Sequence, residues 1–214
     1  LRAALDGDGY LRAPVSRYDS VTEILEKVSQ QNAQSILKTR EIIDAEEFSA
    51  VVDKMAAAKR IDFYGVGPSN VVARDAQLKC VRLKIQSNAP GDRVSMIMNA
   101  QANTEGCLAF LISYTGETED IIEVAYGNPY SCRGRASGRN ASRSSSTSNS
   151  LASQCDYKLR VDSSESWDRL GGMSSRISTL SIIDALFTAL LNTNYDQYVR
   201  NMADTCVGNR VRGE

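Results

Sequence analysis

The chain has 214 residues, of which 42% are hydrophobic and 24% charged, and its formal net charge is −1. This composition is typical of a globular protein with enough apolar residues for a core, and the near-neutral charge gives no electrostatic case for nucleic-acid binding by these residues. The chain contains no histidine, which excludes a Ser-His-Asp triad, a His-ligated zinc site and an imidazole acid or base.

The spacing of the cysteines and the length of the apolar runs indicate the cellular compartment of the protein. The cysteines are Cys80, Cys107, Cys132, Cys155 and Cys206. They are scattered with no close pair, which is typical of the reduced thiols of a cytoplasmic protein. No apolar run approaches the roughly 18 residues of a membrane span, so we predict a cytoplasmic protein without a membrane partner.

The first 44 residues predict a linker and a long helix. Residues 1–19 are polar and contain glycine and proline, as linkers do. Ser20 and Glu23 form a capping-box pattern, and apolar residues recur at helical spacing behind them. This spacing predicts one helix over 20–43, followed by a second helix that Asp44 caps.

A glycine-rich turn follows the first predicted strand. Residues 61–64 have the composition of a short buried strand, and residues 65–68 have that of a turn. Ser69 or Asn70 is predicted to cap a helix that ends near Leu83.

The next segment predicts another strand followed by a helix. A short strand near Val94 and a helix over 98–103 come first. Cys107–Ile112 is then a continuous apolar run of strand length, and a strand that is apolar on both faces is typical of a parallel sheet covered by helices. Residues 117–125 form the helix after it.

The last elements complete the fold class. Residues 157–161 are a strand candidate, 173–191 a long amphipathic to fully buried helix, and 194–203 the end of the ordered pattern. Because strands alternate with helices, we predict a doubly wound α/β fold, with a mostly parallel sheet and helices on both faces.

Residues 126–147 interrupt the alternation, because they lack apolar periodicity where the fold requires a helix end and a core strand. One interpretation is a flexible insertion rich in Ser, Arg and Gly. The other is a reading-frame error in the gene, since Val and Ile codons of GC-rich DNA become Ser and Arg codons one base out of frame. Both predict a sheet that is a strand short or distorted, and residues 206–214 are predicted to be a disordered tail.

The turn after the first strand is a candidate anion site. Gly65 and Gly67 allow close approach of the backbone, and the N-terminus of the next helix supplies N–H groups and a positive dipole. The turn lacks the third glycine of the Rossmann fingerprint, which is Asn70 here, and no P-loop lysine follows. The alternative is a tight turn in which Ser69 is an ordinary N-cap.

The turn after Cys107–Ile112 is the second candidate. Ser113, Thr115 and Thr118 lie around Gly116, and hydroxyls with helix N–H groups can bind a phosphate without Lys or Arg. Helix capping is the alternative, but one cap needs only one hydroxyl. Two such turns at the carboxyl ends of two strands predict a phosphate-binding crevice.

Longer motifs carry a family resemblance. FYGVGPSNVVARDAQLK and FLISYTGETEDIIEVA resemble the two signatures of SIS domains, the sugar isomerase fold, and SNSLASQCDYKLRV and MSSRISTLSIIDALFTALL fit its later part. ARDAQLK and SSRIS…IDALF resemble the RpiR family of bacterial transcriptional regulators. The resemblance covers roughly residues 20–125 and 148–203.

The resemblance implies a regulator that is not an enzyme. In such proteins an N-terminal helix-turn-helix domain binds DNA, and the SIS domain, which is flavodoxin-like, senses a phosphosugar and dimerises. It implies an SIS domain over 20–205, with 1–19 as the linker from a missing helix-turn-helix domain. DNA is then a partner only through that domain. The implied effector is a phosphosugar, the assembly a homodimer or a dimer of dimers, and no cofactor or metal is involved.

The resemblance also implies the ligand-binding residues. They are Gly67, Ser69, Ser113, Thr115, Gly116, Thr118 and Glu165. Glu165 follows a strand end and can meet sugar hydroxyls, with an exposed loop carboxylate as the alternative. The alternative function is an SIS-type aldose–ketose sugar-phosphate isomerase, in which Glu165 is the candidate base.

Overall fold

A computed structural model gives the fold of the chain and describes residues 15–127, 136–137, 149–162 and 173–206. The helices of these ranges are α1 (Val21–Ile42), α2 (Ala45–Ala57), α3 (Pro68–Arg82), α4 (Arg93–Gln101), α5 (Glu119–Tyr126), α6 (Met173–Thr193) and α7 (Tyr195–Asp204), with a 3-10 turn at Ala152–Gln154. The strands are β1 (Arg60–Gly65), β2 (Ser87–Asn88), β3 (Cys107–Ile112) and β4 (Ala136–Ser137).

The strands form one parallel sheet in the order β2-β1-β3-β4. β1 and β3 pair over their whole length, from Arg60 beside Cys107 to Gly65 beside Ile112. Both strands are buried after their first residue, as expected where helices cover both faces of a parallel sheet.

The alternation of side chains along β1 and β3 creates two cores. Ile61 and Phe63 point to the face that α2, α3 and α6 cover, where Phe63 stacks on Phe110 with 5.1 Å between ring centroids. Tyr64 and Leu111 point to the opposite face, which α4 and α5 cover. The predicted doubly wound fold with helices on both faces is therefore confirmed.

Helix α1 packs on α6 through buried hydroxyls. The Oγ atoms of Ser35 and Ser178 are 2.6 Å apart, and Ser35 Oγ also donates to the backbone carbonyl of Asp162 at 3.0 Å. The predicted capping box of Ser20 and Glu23 is present. The apolar residues that predicted this helix are not its buried face, however, since Val21 is 84% exposed.

Removal of both hydroxyls of the Ser35–Ser178 pair is expected to cost less than the sum of the two single removals. Ser35→Ala leaves the Ser178 hydroxyl without its buried partner, which should lower the free energy of unfolding by about 1–3 kcal/mol. The double variant removes both groups, so the two costs should be coupled by about 0.5 kcal/mol or more. Urea unfolding followed by circular dichroism measures this, and strictly additive costs would contradict it.

Two local predictions around α3 and α4 are wrong. Gly67, and not Ser69 or Asn70, is the N-cap of α3, because Pro68 lacks an N–H and fits the first helical position. Val94 lies in α4 and not in a strand, because Asp92 caps that helix by accepting a hydrogen bond from the Ser95 N–H at 2.9 Å.

The strand predicted over 157–161 is not formed. Tyr157 is an isolated bridge residue, and residues 158–161 carry no regular structure. Leu159 and Val161 are nevertheless buried in the core. The alternation of apolar and polar residues here therefore reflects burial of every second side chain and not pairing with a neighbouring strand. In the interrupted segment, β4 pairs Ala136 with Phe110, and the remainder of 128–148 lies outside the described residues.

Helix α6 is the one helix of the described ranges that is long and apolar enough to span a membrane by length and composition. The helix is not an uninterrupted apolar run, because Ser, Thr, Arg and Asp residues lie along it. In the structure α6 packs against α1, α2 and α3, and Leu186 and Leu190 are fully buried in the core.

Candidate functional site

The two predicted turns lie side by side at the carboxyl edge of the sheet. The register of the central strands pairs Gly65 with Ile112, the last residues of β1 and β3. The chain then enters the first turn at Val66 and the second at Ser113. Because β1 and β3 are neighbouring parallel strands, both turns lie at the same edge of the sheet, and so do the N-termini of the helices that follow the turns.

The first turn brings the backbone of α3 against the end of β1. A Cβ atom at Gly65 would lie 2.6 Å from both the carbonyl carbon and the carbonyl oxygen of Ser69, so only glycine fits. Gly67 has a φ of +58° and caps α3 without a side-chain hydrogen bond.

The start of α3 leaves one hydroxyl available. The Ser69 and Asn70 N–H groups bond back to the carbonyls of Val66 and Gly67 at 3.2 and 3.0 Å. The Ser69 side chain is half-buried, and within the described ranges its hydroxyl has no hydrogen-bond partner. The first turn of α3 contains no acidic residue, so the positive end of its dipole is not neutralised locally.

In the second turn the predicted hydroxyls bond to the turn itself. Ser113 is 3% exposed. Its Oγ accepts from the Gly116 N–H at 3.0 Å and lies 3.0 Å from Thr118 Oγ1. Thr115 Oγ1 accepts from the Glu117 N–H at 3.1 Å. The hydroxyls therefore hold a preformed loop around Gly116, which has a φ of +70°.

The helix after the second turn is less suited to an anion. Glu119 and Asp120 lie in the first turn of α5, where carboxylates stabilise the helix dipole and oppose a bound phosphate. Arg93 of α4 offsets one of these charges by pairing with Asp120 at 3.1 Å, and it also pairs with Glu123. The N-terminus of α3 is thus the more favourable end for negative charge.

Residues 149–152, which we call the strap, bind the second turn from another part of the chain. The Asn149 amide donates to the Thr115 carbonyl at 3.3 Å, and the Leu151 N–H donates to the Gly116 carbonyl at 3.1 Å. The Ser150 N–H donates to Glu117 Oε1 at 2.9 Å. Sequence reasoning missed Asn149, although an Asn just before a short helical turn is a recognisable capping signal.

The buried tyrosine next to the first turn is not a candidate base. Tyr64 immediately precedes Gly65, is fully buried, and its hydroxyl accepts from the Asn99 amide at 2.9 Å. Burial, followed by the nearby charge of Asp62, raises the pKa of Tyr64 well above its usual value. Its phenol therefore stays protonated at neutral pH and does not serve as a base.

Six of the seven predicted ligand-binding residues belong to the two adjacent turns. They are Gly67, Ser69, Ser113, Thr115, Gly116 and Thr118. Glu165 lies outside the described residues. Over the ranges that the structure describes, no group of three or more Cys, Asp or Glu side chains is placed to hold a metal ion.

The fold and these turns match a known family. The family model of the SIS domain matches residues 54–189. The chain belongs to the SIS domain family, and the matched region contains both turns and the strap.

The curated relatives include HTH-type transcriptional regulators. An HTH-type transcriptional regulator of Caldanaerobacter subterraneus is 34% identical over 191 residues, which is 89% of this chain and 66% of that protein. The HTH-type transcriptional regulator HexR of Pseudomonas aeruginosa is 26% identical over 207 residues, 95% of this chain and 70% of that protein. The chain thus spans about two thirds of the length of these relatives.

Solved structures share the fold across two functional classes. The Vibrio vulnificus NanR protein complexed with ManNAc-6P superposes with a TM-score of 0.75 at 24% identity, covering 86% of this chain and 68% of that one. The phosphoheptose isomerase GmhA of Neisseria gonorrhoeae superposes with a TM-score of 0.63 at 12% identity, covering 81% of this chain and 100% of that one. An RpiR transcription factor of Sphaerobacter thermophilus (sugar isomerase domain) also superposes, with a TM-score of 0.71 at 13% identity, covering 85% of this chain and 97% of that one. The fold by itself therefore does not separate a transcription factor from an isomerase.

Proposed function

We propose that this chain is the phosphosugar-sensing domain of a cytoplasmic, DNA-binding transcriptional regulator of sugar metabolism. The observation that carries the proposal is the register of β1 and β3, which sets two turns rich in glycine and hydroxyls side by side. The relatives named as HTH-type regulators support the regulatory role. NanR, solved with ManNAc-6P, supports a phosphorylated sugar as the class of effector.

In this proposal the phosphate lies between the two turns. The hydroxyl of Ser69, which has no partner among the described residues, donates to it at the positive end of α3, and Gly67 allows the close approach. Thr115 and Thr118 face it from the second turn, whose backbone Ser113 and Gly116 hold in place. Glu165 is proposed to bind sugar hydroxyls. A neutral cradle of this kind depends on hydrogen bonds and helix dipoles more than on formal charge.

Regulation in this proposal is a shift between two states of a dimer. The effector binds one arrangement of α3 and α5 better than the other, and it can shift the equilibrium only by that difference in affinity. Helix α1 is the route to an attached helix-turn-helix domain, because it precedes the residues that the SIS family model matches and packs on α6. DNA is a partner only through that attached domain.

Ser69→Ala is expected to weaken phosphosugar binding without changing stability. The hydroxyl has no other partner in the described ranges, so its loss costs the fold little, while a hydrogen bond to a charged phosphate is worth about 1.5–3 kcal/mol. That is roughly a ten- to hundredfold loss of affinity. The measurement is a thermal-shift screen of hexose, pentose, amino-sugar and acidic-sugar phosphates, followed by calorimetric titration of the best ligand.

The matched control is Ser49→Ala, which removes an exposed hydroxyl from α2. It should bind as tightly as the unmodified chain. Unchanged affinity in Ser69→Ala would contradict the placement of the phosphate, and a panel without any stabilising sugar phosphate would contradict the proposed effector class.

We further propose that the domain senses the phosphosugar without converting it. Isomerisation needs a positioned base, the chain has no histidine, and burial keeps the phenol of Tyr64, which precedes the first turn, protonated. Incubation with each aldose and ketose phosphate of the panel should give no interconversion. Rapid turnover of any of them would favour the isomerase, with Glu165 as its base.

A further inference from the structure

The strap binds three consecutive residues of the second turn. Thr115, Gly116 and Glu117 each receive one hydrogen bond, from the Asn149 side chain, the Leu151 N–H and the Ser150 N–H respectively. No two of these bonds are redundant, because they reach two different backbone carbonyls and one side chain. The strap therefore fixes the position and the orientation of this part of the turn.

Asn149 is the most constrained residue of the strap. It is 8% exposed. Its Oδ1 accepts from the Ala152 N–H at 2.6 Å, which assigns the oxygen and leaves the amide NH₂ as the donor to the Thr115 carbonyl. The side chain lies so close over the turn that a Cβ on Gly116 would be 1.9 Å from Asn149 Nδ2.

The strap is anchored independently of the turn. Leu151 is fully buried in the core beneath α5, where Ile121 and Val124 also lie. The 3-10 turn Ala152–Gln154 follows directly. A buried anchor of this kind allows the strap to hold the turn against the sheet edge, whereas the three hydroxyl bonds of the turn connect it only to itself.

We propose that the strap is the positioning element of the phosphate-binding turn and that Asn149 is its positioning residue, acting through the amide bond to the Thr115 carbonyl. This inference rests on the proposed function. Asn149 does not touch the phosphate; it orients Thr115 and Gly116 so that the hydroxyl of Thr115 and that of Thr118 meet the anion together.

The test compares Asn149→Ala, Asn149→Asp and Ser150→Ala. Asn149→Asp keeps the acceptor for the Ala152 N–H but replaces the donor to Thr115 with a negative charge, whereas Asn149→Ala loses both bonds and adds no charge. The neutral Asn149→Ala variant therefore decides the effect on phosphate affinity. Ser150→Ala is the control, because Ser150 contacts the turn through its backbone N–H. Amide hydrogen exchange in the ligand-free chain reports the geometry, and an NMR titration with inorganic phosphate reports anion binding.

Both Asn149 variants are expected to speed exchange of the Gly116 and Leu151 amides by about tenfold or more, since local opening becomes easier when a constraint is lost. Both should weaken phosphate binding by about tenfold. The Ala152 amide should stay protected in Asn149→Asp and lose protection in Asn149→Ala. Ser150→Ala should match the unmodified chain in every measurement.

Each outcome decides one of the two proposals. Unchanged exchange of the Gly116 and Leu151 amides in Asn149→Asp overturns the positioning role, and so does faster exchange with unchanged phosphate affinity. If the unmodified chain shows no phosphate-dependent shifts in either turn, the proposed function fails, and the exchange data then support or overturn the strap as the element that holds the turn.

Discussion

Gly65→Ala is expected to abolish detectable phosphosugar binding and to lower the free energy of unfolding by about 1–3 kcal/mol. The new methyl group would lie 2.6 Å from the carbonyl carbon and oxygen of Ser69. These are backbone atoms in the first turn of α3, so no side-chain rotation relieves the overlap. The start of α3 must move away from β1, and Ser69 moves with it.

The effect on binding should exceed the effect on stability. The phosphate in our proposal is held jointly by α3 and the turn that begins at Ser113, so an ångström-scale separation of the two breaks several hydrogen bonds at once. Chemical unfolding gives the stability and calorimetric titration gives the affinity. Tight binding by a folded Gly65→Ala chain would contradict a site between the two turns.

Gly91→Ala is the matched control for that experiment. The nearest atom to a Cβ at Gly91 is Asn70 Oδ1 at 4.0 Å, which is ordinary van der Waals contact. Its effect on stability should lie within about 0.5 kcal/mol, and its phosphosugar affinity should equal that of the unmodified chain.

The parts of the fold that local chemistry determines were predictable from the sequence. Cys107–Ile112 was predicted with both ends correct, because a run that is apolar on both faces ends at a polar turn. The first strand extends one residue beyond the prediction at each end. The glycines and hydroxyls of both turns stand out for the same reason, since their backbone and capping roles involve residues only a few positions apart.

Contacts between distant residues were not predictable in this way. The apolar spacing that predicted α1 did not identify its contacts: Val21 and Leu25 are exposed, and the helix is fixed to α6 by Ser35 and Ser178, which are 143 residues apart. Local periodicity cannot indicate which residues of a helix meet a partner so far along the chain. The contact of Asn149 with the second turn was not predictable for the same reason, because its partner Thr115 lies 34 residues earlier.

Gly116→Ala is expected to destabilise the domain by about 2–5 kcal/mol through two separate effects. The φ of +70° at this position is costly for any residue with a Cβ, by about 1–2 kcal/mol. The methyl group would also lie 1.9 Å from Asn149 Nδ2, which forces the strap away from the turn at a further cost of about 1–3 kcal/mol.

A double-mutant cycle separates the two effects of Gly116→Ala. Asn149→Ala removes the group that the methyl meets, so the cost of Gly116→Ala should be smaller in that background by about 0.5–3 kcal/mol. Gly67→Ala provides the control, because Gly67 also has a positive φ, of +58°, but nothing lies within 4 Å of its Cβ position. Its cost should be the same with and without Asn149→Ala.

The double-mutant cycle also tests whether the ligand orders the strap together with the second turn. If the strain at Gly116 and the contact with Asn149 are coupled in stability, the strap and the turn form one mechanical unit, and a ligand that orders the turn must order the strap as well. Phosphosugar should then slow exchange of the Leu151 amide, whose acceptor is the Gly116 carbonyl. Additive costs for Gly116→Ala and Asn149→Ala would contradict such a unit and would confine the ligand's effect to the turn.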